Sequence, residues 1–81
     1  MKIVVIEDTL SGVRAFINAK KLFDAVGLQM EITVIGVHGG SEEKYKAFMD
    51  LAEKEEINTI TCTTINDGIK TYFDKRLEGK L

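Results

Sequence analysis

Apolar positions along the chain fall into three cycles of strand followed by helix. Ile3, Val4, Val5 and Ile6 form a continuous β-branched run, the pattern of a strand buried on both faces. Ser11 is the expected N-cap of the next helix. Val13, Phe16, Ala19, Phe23 and Val26 then make one apolar helical stripe, with Leu22 beside it and Gly27 as its C′ stop. A second strand is predicted from Ile32 to Val37, ending in His38-Gly39-Gly40. The second helix starts near Ser41, with Glu42 and Glu43 in the first turn where the macrodipole favours anions. Its buried face is predicted to be Tyr45, Phe48, Met49 and Ala52. In the third strand, Thr59 to Thr63, Ile60 and Cys62 alternate with Thr59, Thr61 and Thr63, which suits an edge strand with one wet face. Thr64-Ile65-Asn66-Asp67 forms a loose capping box, with Asp in place of Glu or Gln. Ile69, Tyr72, Phe73 and Leu77 supply the last helix's apolar face.

This βαβαβα order with short connections predicts one α/β domain over residues 1–81: a small three-stranded parallel sheet with three helices, a Rossmann-like half-domain. Right-handed crossovers stepping one way across the sheet put the first two helices on the same face. Only the third helix is left for the other face, yet the first strand is apolar on both sides. That strand therefore calls for a neighbour, a second copy of the chain, a complementary chain or a missing half-domain, at its edge or on the uncovered sheet face.

Composition narrows the field. Eighty-one residues allow a small core, burying roughly 60–65% of the unfolded surface. With 11 basic and 13 acidic residues and a net charge of -2, no basic block exists to recruit nucleic acid or an anionic membrane. The single Cys62 excludes an intrachain disulfide and a Cys-rich zinc site. No signal peptide or spanning segment is evident, and a cytoplasmic protein is expected.

Candidate chemistry gathers in Lys2 to Ala15. The first strand runs into two adjacent carboxylates, Glu7 and Asp8, followed by a Thr-Leu-Ser-Gly turn. Side chains at the carboxyl end of a parallel strand face the crevice where open α/β sheets bind ligands. Paired carboxylates there suit a hard cation such as Mg²⁺, which takes oxygen ligands and shares them with phosphate. At the end of the second strand, Gly39 and Gly40 sit at a helix start, where successive N–H groups form an anion-binding nest or where a tight connection needs positive φ. Neither a phosphate-loop motif nor a dinucleotide fingerprint occurs. Cys62 reads as a small core residue, and His38 as a loop residue.

Ile-Glu-Asp-Thr-Leu-Ser-Gly-Val-Arg-Ala resembles the fourth motif of the haloacid dehalogenase-like hydrolases, in the phosphoglucomutase-like phosphatase branch. There a strand ends in an acidic pair before a Ser-Gly-x-x-Ala turn, matched here by Glu7, Asp8, Ser11, Gly12 and Ala15. The resemblance covers most of the chain but only the C-terminal half of that family's core domain. It implies Mg²⁺ as cofactor, with Asp8 as ligand and Glu7 as ligand or water-mediated support, and a phosphorylated small molecule as substrate. The departures are as telling. The family's Asp-x-Asp nucleophile motif is absent, and its Ser or Thr phosphate binder and its Lys normally precede the acidic-pair strand, where this chain begins. Covalent phosphoryl transfer needs an activated nucleophile and charge stabilisation at the transferred group. No residue here is assigned as catalytic, and the resemblance implies a half-site inactive alone and completed by another chain or an oligomer. The alternative is a non-catalytic binding or assembly module on a Rossmann-like scaffold. A receiver-like domain is disfavoured, because strands two and three end in Val37-His38 and Thr63-Thr64 rather than in an Asp.

Overall fold

The computed structural model describes residues 1–81. Its elements run β1 (Lys2–Glu7), α1 (Leu10–Ala25), β2 (Glu31–Val37), α2 (Glu42–Glu55), β3 (Asn58–Cys62) and α3 (Ile65–Leu77). The three strands form one parallel sheet in the order β1-β2-β3. The expected class and element order are therefore present, and β2 is the central strand.

Strand register sorts side chains between the faces. Val5 pairs with Val34, Ile3 with Ile32 and Glu7 with Gly36. Val34 and Gly36 pair in turn with Thr59 and Thr61. Parallel neighbours in register share a face. This face carries α1 and α2: Val5, Ile32 and Val34 cluster with Val13, Ile17, Met30, Phe48 and Ile57. Ile6, Ile35 and Cys62 line the opposite face, where a side chain on Gly68 of α3 would meet all three within 3.3 Å. Phe48, Ile35 and Val34 are the largest fully buried side chains. Gly36 lets the Phe48 ring lie directly on the sheet, with ring atoms 3.0–3.2 Å from where a Cβ would stand.

Five local expectations need correcting, one of them on α2, where Phe48 is buried but Tyr45 and Met49 of the predicted core face are exposed. The N-cap of α1 is Thr9, whose extended backbone lets Oγ1 accept from the Gly12 N–H at 3.1 Å; Ser11 lies inside the helix. The buried line of that helix is Val13–Ile17, one turn apart, with Leu10, Phe16 and Phe23 packed against it. Leu22 and Val26, which the stripe included, are mostly exposed. On β3, Thr59 and Thr61 are half-buried rather than wet, because α2 packs over that strand. The largest difference concerns α3. It is turned so that Gly68 is its one buried residue. Tyr72 is half-buried, but Ile69, Phe73 and Leu77, the predicted core face, are 42%, 57% and 87% exposed. A glycine at the contact brings the helix axis close to the sheet, and the bulky residues are carried to its flank.

Other caps follow the sequence. Ser41 accepts from the Lys44 N–H, and Thr64 from the Asp67 N–H, both at 3.1 Å. Gly27, with φ 83°, follows the end of α1. No helix is long and apolar enough to cross a membrane.

Candidate functional site

The carboxyl ends of the three strands form one rim, and the sequence-derived residues distribute along it unequally. Glu7 closes β1, half-buried, and its carboxylate lies over Gly12: a Cβ there would fall within 2.8 Å of all three terminal atoms of Glu7. Gly12 is thus the residue that makes room for the acid. Its role is close approach, since its φ is not positive. Asp8 stands exposed on the bend that follows, and Ser11 is exposed with its hydroxyl donating to Thr9 Oγ1 at 3.4 Å.

The Gly39-Gly40 turn is drawn toward β3 instead. The His38 and Gly39 amides donate to the Cys62 and Thr63 carbonyls at 3.0 and 2.9 Å. The Gly40 N–H donates to His38 Nδ1 and the Ser41 N–H to the His38 carbonyl, each at 3.0 Å. Every amide of this turn is therefore engaged, and an anion would have to displace one of these bonds. Both glycines have positive φ, 61° and 81°, as a tight connection requires. His38 is held at both ends, since its ring also meets Tyr45 edge-on at 5.7 Å between centroids.

No group of three or more His, Cys, Asp or Glu residues lies close enough to hold a metal ion. Glu7 is turned back over Gly12 and Asp8 is exposed. Together they offer at most two carboxylates, the number through which Mg²⁺ is usually held while waters or phosphate oxygens complete its shell. The larger clefts open elsewhere. The groove between α1 and α2 is lined by charges of both signs, including Arg14, Lys21, Asp50 and Glu55.

Two titrating groups are perturbed, and neither belongs to the acidic pair. Asp24 is held below the ordinary carboxylate range, first by its hydrogen bond from Lys20 at 2.5 Å; desolvation opposes this, and the Met30 N–H adds to the lowering. This clasp ties the end of α1 to the start of β2. The Lys20-to-Asp24 spacing of four residues was the available signal for it. The Cys62 thiol is pushed up by burial and then by the nearby Asp67 carboxylate, so it is a weak nucleophile.

The feature that sequence reading located only in outline is the β1 edge. The Met1 amine donates to the Gln29 carbonyl, and the Met1 carbonyl accepts from the Glu31 N–H at 2.8 Å. Backbone polar groups alternate sides along a parallel strand. Ile3, Val5 and Glu7 therefore turn theirs toward β2, while Lys2, Val4 and Ile6 turn theirs to the open edge. Apolar side chains border that edge on both faces. Arg14, Asn18 and Lys21 mark the α2-facing flank of α1, which puts Phe16 and Phe23 on the flank toward the β1 edge. On α3, Gly68 faces Ile6, Ile35 and Cys62 near the carboxyl ends of the strands, and Lys80 and Leu81 lie by Lys2 and Val4; with α3 running back along a sheet of right-handed crossovers, the 100° helical step past Gly68 carries Ile65, Ile69 and Phe73 to the β1 side. The β3 edge differs: its residues Asn58, Thr59 and Thr61 are polar. No family model, curated protein or solved structure matches this chain.

Proposed function

We propose that this chain is a non-catalytic binding and assembly module that works by strand addition at the edge of β1. One observation carries this reading: the only edge strand with an apolar sequence is left open, with outward amides and carbonyls at Lys2, Val4 and Ile6. Native sheets protect such edges with charges, proline, bulges or a covering element, and β1 has none of these between its terminal Lys2 and Glu7. An added strand satisfies the backbone groups and lets neighbouring elements cover Ile65, Ile69 and Phe73.

The haloacid dehalogenase-like reading is kept as a second proposal, because the acidic pair sits at the crevice end of this same open strand. Under it, a complementary chain seats beside β1 and brings the nucleophile and the remaining oxygen ligands for Mg²⁺. Heteronuclear NMR spectra of the wild type and of Asp8→Ala, each titrated with Mg²⁺, separate the two proposals. Shifts confined to Glu7–Gly12 and lost in Asp8→Ala support the metal half-site; unchanged spectra in both proteins remove it.

The assembly reading is tested by native mass, in purified form and in an extract of its source. A particle heavier than the 9.0 kDa chain that reverts to it on Val4→Lys is the expected result. A 9.0 kDa species in both settings refutes it.

A further inference from the structure

Resting on that reading, we infer that the strand taken up at the β1 edge is β1 of a second copy, running antiparallel across a two-fold axis. The product is a continuous six-stranded sheet with α3 of each copy on one face. Charge placement along the strand points to this occupant. β1 reads Lys2-Ile3-Val4-Val5-Ile6-Glu7 and is followed by Asp8: one cation at its start, two anions at its end, and only β-branched residues between. Antiparallel self-pairing sets the basic end of each copy against the acidic end of the other. Parallel addition of a like strand would set like against like.

Symmetry limits the register. A two-fold axis normal to the sheet keeps each copy's α3 face on the same side, so only residues of equal parity can stand opposite. Placing the axis at Val5 sets Val4 opposite Ile6 of the second copy and Lys2 opposite its Asp8, each pair occurring twice. Val4 and Ile6 are residues whose backbone groups point outward, so each such pair exchanges both main-chain hydrogen bonds. The Lys2–Asp8 pairs lie on the α3 face at the two ends of the ladder. Glu7, folded over Gly12, stays on the other face.

The same operation disposes of the exposed apolar flank. Ile65, Ile69 and Phe73 lean toward the β1 edge and are 51%, 42% and 57% exposed; across the axis they meet their own counterparts. Phe16 and Phe23 do the same on the α1 face. An isologous interface requires a self-complementary patch, and this one is complementary in charge, in backbone polarity and in apolar surface.

The test is the mass of the purified chain by light scattering and sedimentation equilibrium, with three variants. The wild type is expected at twice the 9.0 kDa chain mass. Val4→Pro removes an outward N–H, which an edge strand tolerates, and is expected to be monomeric. Ile69→Glu/Phe73→Glu alters only exposed residues, keeps its fold by circular dichroism, and is expected to be monomeric too. Lys2→Cys/Asp8→Cys is expected to form a covalent dimer on mild oxidation, because the register sets Lys2 beside Asp8, the first residue past the end of the strand, and opposed residues of such a ladder stand about 5.5 Å apart between Cα atoms, inside disulfide range. A purified wild type that stays monomeric at millimolar concentration overturns the second copy; an assembly of it in extract then leaves strand addition standing. A dimer indifferent to both Val4→Pro and Ile69→Glu/Phe73→Glu overturns both. A dimer sensitive to them that fails to cross-link overturns the register.

Discussion

Gly36→Ala is the most exacting test of how the crevice layer is built. Gly36 is buried at the centre of the sheet, opposite Glu7 in register. A Cβ there would stand 3.0, 3.1 and 3.2 Å from three Phe48 ring atoms. Phe48 is only 2% exposed, so the ring has no free volume to enter. Overpacking of this kind costs about 1–3 kcal/mol. Replacing glycine in a strand recovers roughly 0.4–1 kcal/mol through the unfolded chain. The net expectation is a loss of about 1–2 kcal/mol, a large part of the roughly 4–12 kcal/mol available to a domain of this size. Urea unfolding followed by circular dichroism, at one fixed protein concentration to hold any association constant, reads this directly. With a slope near ~1 kcal/mol/M, the midpoint falls by about 1–2 M. Phe48→Leu removes the ring, and in that background Gly36→Ala is expected to be neutral or slightly stabilising, a coupling of about 1–2 kcal/mol. Equal costs in both backgrounds, or no cost in the wild type, would refute the ring-on-glycine packing.

Three further outcomes follow from the caps and the titrating groups. Thr9→Ala is expected to lower stability by about 1 kcal/mol, while Ser11→Ala changes it by less than about 0.5 kcal/mol; the reverse order in urea titrations would restore Ser11 as the cap. Asp24 titrates below its unfolded value of 3.8 when folded, so its contribution is complete above that pH and drains away as pH falls through the lower folded value. Melting temperatures from pH 7 down to 2 are expected to show a shallower acid limb in Asp24→Asn, and parallel limbs would contradict the Lys20 clasp. Cys62 is expected to react with iodoacetamide more slowly than a free thiol at pH 8, and Asp67→Asn to speed the reaction. An unchanged rate would mean that the Asp67 charge does not reach the sulfur.

Fold class and element order were legible because each segment's period, caps and connection lengths agree. The β-branched run at Ile3–Ile6 and the caps at Ser41 and Thr64 each determine local structure without tertiary help. Helix faces were less legible where the contact residue is small. Apolar periodicity weighs Ile69, Phe73 and Leu77 above Gly68, yet close approach to Ile6, Ile35 and Cys62 favours the residue with no side chain. The same blindness hid Gly36 beneath Phe48. At the candidate site, the position of Glu7 and Asp8 at the end of a parallel strand was readable. That Glu7 folds onto Gly12, and that the His38–Ser41 amides are spent on the turn, depends on backbone direction and carries no periodic signal. The edge position of β1 was visible as an apolar run paired on one side only, but its apolar borders emerge only once α1 and α3 are oriented.

The opening strand thus has its carboxyl end marked by acids and its whole length marked by an open edge, and the second property shapes the functional reading. Amide hydrogen exchange of the purified protein at millimolar concentration tests it most directly. On β3 the Cys62 carbonyl accepts from His38, so the outward amides of that edge are those of Thr59 and Thr61, an internal reference for an uncovered strand. Val4 and Ile6 are expected to exchange far more slowly than Thr59 and Thr61, and dilution to erase the difference. Val4 and Ile6 amides exchanging as fast as those of Thr59 and Thr61 at every concentration would contradict it.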